Sequence, residues 1–208
     1  MYEAKHVNAL QRMLAAYCTR PHELICVTDM PNGIDCKVTP LWDDPTILTE
    51  TGAPNCYRRL KLFSPDYPWG KLVCIDLDCV MFGNIDSLFT NHEFRIVKGY
   101  NARYNGSMWM LKVGTRTRAY DQFTAEGVRL AARKGYLGSD QAWLSYILPD
   151  EAVWWPEDGV QLIADLKTKN APLLPTTKIL FCPGMTKPWH PAMKLKFPAI
   201  HAQYAKFL

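Results

Sequence analysis

The chain has 208 residues, 48% of them hydrophobic and 21% charged, a balance that fits a folded globular protein and excludes disordered or fibrous classes. Its net charge of +4 is too weakly basic to imply nucleic acid by itself. No apolar run reaches the ~18 residues of a membrane span, and no signal peptide opens the chain, so the expected location is cytoplasmic.

Seven cysteines, with no C-x-x-C pair among them, favour reduced and mostly buried thiols over a disulfide framework or a zinc site. Seven Trp and ten Tyr exceed what a core alone needs. Packing accounts for most of them, and the rest could line a sugar or base site. Lys167, Lys169, Lys178, Lys187, Lys194, Lys196 and Lys206 crowd the last fifth, where acids become rare after Asp165. Such a segment suits a phosphate-bearing ligand or an anionic surface, with a solvated face as the alternative.

In chain order, Val7, Leu10, Met13, Leu14 and Tyr17 fall at helical spacing over residues 6–18. Glu23 to Thr28 reads as a short buried strand closed by the turn signal Asp29-Met-Pro-Asn-Gly33. Residues 34–56 look like an extended loop, and Tyr57 to Phe63 like a helix that stops at Ser64-Pro65. Lys71 to Asp76 is apolar on both faces, as parallel central strands tend to be. Further strands are expected at Phe94–Val97, Met108–Val113, Val153–Trp155 and Lys178–Phe181, with helices at 116–134 and 139–148. Alternating strands and helices indicate an α/β domain. With no repeat and no linker, residues 1–208 read as a single domain.

The sharpest local feature is Asp76-Leu77-Asp78, placed directly after that apolar strand. Ligands of open α/β sheets bind outside the carboxyl ends of strands. Carboxylates at i and i+2 of extended chain face the same way and repel unless a cation sits there, so a hard divalent ion is the natural occupant. A pair of loop acids in water is the plain alternative for so short a motif. Asp86, the nearest further acid, sits in a hydrophobic context that reads as structural.

Five segments then fall in one order: Tyr57-Arg-Arg-Leu-Lys-Leu62, Lys71 to Phe89, Tyr104-Asn-Gly-Ser-Met-Trp-Met-Leu111, Gly138-Ser-Asp140-Gln141, and Gly184-Met-Thr-Lys187-Pro-Trp189. Together they resemble glycosyltransferase family 8 and its bacterial and phage relatives. The resemblance implies a GT-A-type nucleotide-sugar-binding domain with a mixed, mostly parallel central sheet. It places Arg59, Asp76, Asp78, Ser107, Gly184 and Lys187 on the donor, and Asp76 and Asp78 on a divalent metal, Mn²⁺ or Mg²⁺. Gln141, Asp140 and Asn105 would lie near the anomeric carbon.

Each residue also has an ordinary alternative. Arg59 and Lys187 could be surface cations, Asn105 and Ser107 could bond a local turn, and Asp140 or Ser139 could cap a helix.

The chain departs from the pattern twice. The histidine that usually serves the metal just ahead of Gly184 is missing from Phe181-Cys182-Pro183. Cys182 is too soft for Mg²⁺ or Mn²⁺, and His190 is the nearest substitute. The usual first strand is also missing, since Met1-Tyr-Glu already enters the helix. A start codon set too late, a rearranged edge strand and a degenerate protein are the three explanations, and a longer native form is the expectation.

The expected reaction is transfer of a hexose from a nucleotide sugar, of the uridine diphosphate class, to a hydroxyl acceptor, and the resemblance implies retention at the anomeric carbon. The acceptor would be a glycan, or secondarily a hydroxyl-bearing nucleic-acid base. The alternatives are a weakened or inactive sugar-nucleotide-binding protein and a metal-dependent phosphohydrolase or nucleotidyltransferase, the last short of the acids that a two-metal site needs.

Overall fold

The computed structural model describes residues 2–42, 56–100, 103–168 and 172–208. Much of the expected loop at 34–56 lies outside the described residues. The chain forms two compact units. The first comprises Met1–Leu41, Asp76–Thr90 and Trp154–Leu208, and the second Trp42–Ile75 and Asn91–Val153.

The first unit opens with helix α1 (Ala4–Tyr17). Val7, Leu10 and Met13 recur on its buried face, the spacing of an amphipathic helix. Buried Asn8 on the same helix donates to the Gly33 carbonyl (2.9 Å) and accepts from the Asp35 amide (3.0 Å). These bonds pin the turn that follows strand β1 (Ile25–Thr28). Gly33 adopts φ +78° there, a conformation that the Asn-Gly signal anticipates. Strand β2 (Lys37–Pro40) pairs parallel to β1. It lies where a loop is expected, because four residues of mixed polarity carry no clear period-2 signal.

Strand β4 (Cys79–Met81) is wholly buried and pairs antiparallel with β9 (Ile179–Phe181). Strand β8 (Val160–Leu162) joins β9 in parallel register. Helix α1 packs against β4, as does α7 (Pro198–Ala205), which follows α6 (Pro191–Lys196). Strand β8 leads directly into α5 (Ile163–Thr168). Sequence reading misses both β4 and β8, because neither short run carries a period-2 pattern or turn signals that set it off from its flanks.

The second unit holds the 3₁₀ helix Cys56–Phe63 and a four-stranded sheet in the order β3-β6-β5-β7. Its strands are β3 (Lys71–Ile75), β5 (Phe94–Lys98), β6 (Tyr104–Lys112) and β7 (Ala152–Trp154). Helices α2 (Arg118–Asp121), α3 (Ala125–Arg133) and α4 (Asp140–Ile147) complete it. They lie within the expected helical runs, the first of which is broken in two at 122–124. Tyr57, Leu60, Phe63, Phe94, Trp109, Phe123 and Trp143 build one buried cluster, and Phe63 lies 5.0 Å from the Trp109 ring.

One expectation is corrected. Strand β3 is not a parallel strand buried on both faces: it pairs antiparallel with β6, and Lys71 and Val73 are exposed. An apolar run reports affinity for a sheet but not the direction of its neighbour, which is chosen by tertiary pairing. Likewise the sheets are mixed, but the described registers are not mostly parallel. Those of β1 with β2 and β8 with β9 are parallel, and those of β3 with β6, β5 with β6 and β4 with β9 are antiparallel.

Asp86 is structural, as its context suggested. It accepts from the Thr19 hydroxyl, the Thr19 amide (3.0 Å) and Asn84 Nδ2 (3.3 Å). The bond from the Thr19 hydroxyl is the main reason its pKa is held down to about 2. A carboxylate with a depressed pKa contributes stability above its unfolded value of about 3.9 and loses it as pH falls through the folded value. Asp86→Asn is therefore expected to flatten the stability–pH profile between about pH 4 and pH 2, read from urea midpoints. Phe63→Ala should cost about 3–5 kcal/mol through cavity formation, read from the same titrations at neutral pH.

Candidate functional site

In the first unit, the β4–β9 ladder assembles the site. The Cys182 amide donates to the Asp78 carbonyl (2.8 Å), extending the ladder one step past Cys79↔Phe181. This holds Asp78 beside the segment that leads into Gly184–Trp189. Gly184 turns that segment at φ +89°, a conformation that a side chain would strain. Lys187 then forms an ion pair with Asp78 Oδ2, although 109 positions separate them.

The Asp78 side chain is only 3% exposed and that of Lys187 22%. Burial works against the lysine's charge, but hydrogen bonds with Asp78 and Tyr2 outweigh it and raise its pKa above the ordinary lysine value. Asp78 Oδ1 is buried with no hydrogen-bond partner. Half-buried Asp76 lies close enough to act, together with Asp78, on the Tyr2 hydroxyl and the Cys79 thiol. Burial raises the pKa of both groups, and the two carboxylates add to it.

Sequence reading missed the aromatic wall of this cluster. The Tyr2 hydroxyl donates to Asp78 Oδ2 (3.2 Å), and Lys187 Nζ lies 5.3 Å from the centre of the Tyr2 ring, within cation–π range. Trp189 meets Tyr2 edge-on at 5.6 Å and stacks on His6 at 3.8 Å. His6 is fully buried, and that burial lowers its pKa. Its Nδ1 accepts from the Glu3 amide (2.9 Å), so the proton of the neutral ring sits on Nε2. A lone histidine or tyrosine in an N-terminal helix segment carries no spacing that would mark it.

His190, the nearest substitute for the missing metal histidine, instead caps α6 by accepting from the Ala192 amide (3.1 Å). Among the described residues no group of three or more His, Cys, Asp or Glu comes together as a metal cage.

In the second unit, Arg59 and Asp140 form the centre. Arg59 donates to Asp140 Oδ2 through Nε (2.9 Å) and Nη2 (2.7 Å), and to the Gly106 carbonyl through Nη1 (2.9 Å). Asp140 is 1% exposed. Its burial raises its pKa against the opposing pull of Arg59, and its Oδ1 has no hydrogen-bond partner. Ser139, not Asp140, is the N-cap residue of α4, and its side chain makes no capping bond. The Asp140 carboxylate is given to Arg59.

Arg59 reaches Gly106 because β6 bulges there. Ile96 pairs with Trp109 while Val97 pairs with Asn105, which leaves Gly106, Ser107 and Met108 without partners on β5. Bulges of this kind re-aim side chains beside sites. The Gly106 amide donates to Gln141 Oε1 (3.0 Å) and the Ser107 amide to Asn105 Oδ1 (3.0 Å). With each carboxamide oxygen taken by a backbone N–H, the NH₂ groups of Gln141 and Asn105 are the donors left for a ligand. Ser107 itself is buried.

The second unit also has a cavity of about 350 Å³ lined by Arg116, Thr117, Arg118 and Glu151. Its Arg116 is consumed by ion pairs with Glu93 and Glu151, and none of the motif residues lines it.

No protein-family model matches the sequence, and no curated protein matches it either. Solved structures do match. The galactosyltransferase LgtC, solved with donor and acceptor sugar analogues, aligns with TM-score 0.65 at 10% identity, over 98% of this chain and 92% of that one. The glycosyltransferase GlyE of Streptococcus pneumoniae aligns with TM-score 0.64 at 14% identity, over 98% of this chain and 58% of that one. The bifunctional glycosyltransferase WbbM aligns with TM-score 0.59 at 14% identity, over 97% and 47%. The fold is therefore that of GT-A-like glycosyltransferases, as the ordered motifs led one to expect.

A Cβ at position 106 would lie 2.8 Å from Arg59 Nη2. Gly106→Ala is thus expected to push the guanidinium off Asp140 at a cost of about 1.5–3 kcal/mol, the worth of hydrogen bonds to a charged group. In an Arg59→Ala background the same change should cost little. A double-mutant cycle in urea reads the coupling, and additive effects would contradict it.

Proposed function

We propose that the chain is a glycosyltransferase that moves a hexose from a nucleotide sugar, of the uridine diphosphate class, to a hydroxyl acceptor. The observation that carries this reading is the Asp78–Lys187 pair, in which residues from two separate sequence motifs meet on a buried carboxylate. The GT-A-like fold supports it.

The donor set suits a divalent ion such as Mn²⁺ or Mg²⁺. Asp76 and Asp78 supply carboxylates, and Asp78 Oδ1 is a buried oxygen still lacking a partner. Diphosphate oxygens and water would fill the remaining positions, the usual habit of Mg²⁺. When bound, the ion would neutralise negative charge on the departing nucleoside diphosphate.

Lys187 serves the same leaving group as a point charge. Gly184 lets the backbone turn so that the lysine reaches the phosphates. In the second unit, Arg59, held in plane by Asp140 and the Gly106 carbonyl, is a planar donor group of the kind that suits phosphate or sugar oxygens. The NH₂ groups of Gln141 and Asn105 donate to sugar oxygens, and Ser107 shapes the bulge behind them. Among the described residues of these two clusters, no side chain is arranged as an activated nucleophile. That is compatible with retention in which departure of the diphosphate is the main barrier that the protein lowers.

A second reading, a weakened or inactive sugar-nucleotide-binding protein, is favoured by one observation: the described residues offer no third protein ligand beside the two aspartates. For the acceptor, a glycan hydroxyl is the primary proposal. A nucleic-acid hydroxyl is the secondary one, motivated by the lysine-rich last segment.

A thermal-shift screen of nucleotide sugars with and without Mn²⁺ tests both readings. The expected outcome is a uridine-specific, Mn²⁺-dependent rise in melting temperature together with hydrolysis or transfer of the sugar. Stabilisation without turnover would select the binding protein. The Asp76→Ala/Asp78→Ala double variant should lose the Mn²⁺-dependent shift and at least about 10²-fold in rate. Full activity in that variant would sink the assignment.

A further inference from the structure

Asp78 presents one carboxylate to two cations, one present in the fold and one expected with the donor. Its side chain is 3% exposed, and a carboxylate so buried is destabilising unless a cation faces it. Lys187 meets that need at Oδ2, joined there by the Tyr2 hydroxyl. A hard divalent ion on the same carboxylate would sit against the ammonium, and the two positive charges repel strongly where solvent is excluded.

We infer that Lys187 is the resident counter-ion of Asp78 and that it exchanges with the divalent ion, so that metal entry and lysine release are one event. This rests on the reading of Asp76, Asp78 and Lys187 as the donor diphosphate site. As the ion takes the carboxylate, Lys187 would give up Oδ2 and its ammonium would pass to the diphosphate.

Three features allow the exchange. Asp78 Oδ1 has no partner to give up. Space around Gly184 is open, with nothing within 4 Å of where a Cβ would stand, so packing at that point does not lock the loop carrying Lys187. The face of the Tyr2 ring, 5.3 Å from Nζ, gives the ammonium a second surface as it moves. With no third protein ligand among the described residues, the ion alone competes poorly with the lysine, and ion and diphosphate arrive together.

The consequence is a pair of effects of opposite sign. Removing the lysine charge strengthens binding of the metal alone and weakens binding of the metal–nucleotide pair, a signature that general damage to the site does not produce. The test is calorimetric titration of the full chain with Mn²⁺ alone, and separately with UDP in saturating Mn²⁺, in wild type, Lys187→Met and Lys187→Arg.

Lys187→Met is expected to bind Mn²⁺ alone at least tenfold more tightly than wild type and UDP at least tenfold more weakly. Lys187→Arg keeps a cation on Asp78 and should bind Mn²⁺ alone as wild type does. Lys187→Gln, whose amide still bonds to Asp78, takes the place of Lys187→Met if that variant does not fold. Neutral variants that bind Mn²⁺ alone no more tightly than wild type would overturn the exchange. Tighter Mn²⁺ binding in those variants, with no UDP binding in any form, would uphold the exchange and overturn the donor-site reading instead.

Discussion

A carboxylate removed from water is expensive, and the first unit is organised around one such group. Asp78 is held on a ladder between two fully buried strands, where solvent cannot meet its charge. The fold answers with Lys187, delivered by the turn at Gly184, and with the Tyr2 hydroxyl. Breaking a buried pair by removing one partner typically costs 3–5 kcal/mol. Tyr2, Trp189 and fully buried His6 pack around the pair and shield it in part from water, which strengthens whatever electrostatic contact the site makes.

The second unit solves the same problem with different chemistry. Asp140 is as buried as Asp78, and its Oδ2 is held by the fork of Arg59. In both carboxylates one oxygen is engaged by a cation and the other is buried with no hydrogen bond. Native proteins rarely leave such atoms unsatisfied, and each exception calls for a reason. Ligand sites supply one, because an unsatisfied oxygen raises the free energy of the empty protein and is relieved when a partner arrives. The choice of cation follows the task. A guanidinium holds a fixed plane, whereas an ammonium on a flexible stem can move.

The bulge in β6 shows how a local irregularity becomes part of a site. Regular pairing would send the 106–108 segment along the ladder with β5. Instead Gly106 comes within hydrogen-bond reach of both Arg59 and Gln141, and the carboxamides of Asn105 and Gln141 are orientated by backbone N–H donors. Gly106 inside the strand run is the local signal that permits a bulge, but whether one forms depends on what Arg59 and α4 present to that stretch.

Much was legible without coordinates. Helix α1, the strands at Ile25–Thr28, Lys71–Ile75, Phe94–Lys98 and Ile179–Phe181, and helix α4 follow from apolar spacing and turn residues, which are local properties of the chain. So does the placement of Asp76 and Asp78 at a strand end. Alternating elements point to an α/β domain, and the GT-A-type fold came only through the resemblance of the ordered motifs to glycosyltransferase family 8. Strand direction, the short strands β4 and β8, the bulge and the register that sets Asp78 against Lys187 were decided only by tertiary structure. Each depends on hydrogen bonds or charge contacts between residues far apart in sequence, and the same local pattern is compatible with more than one partner. The sequence by itself determined that a carboxylate pair and a lysine exist to be used. Burial, which is a property of the whole fold, decided that they must face each other.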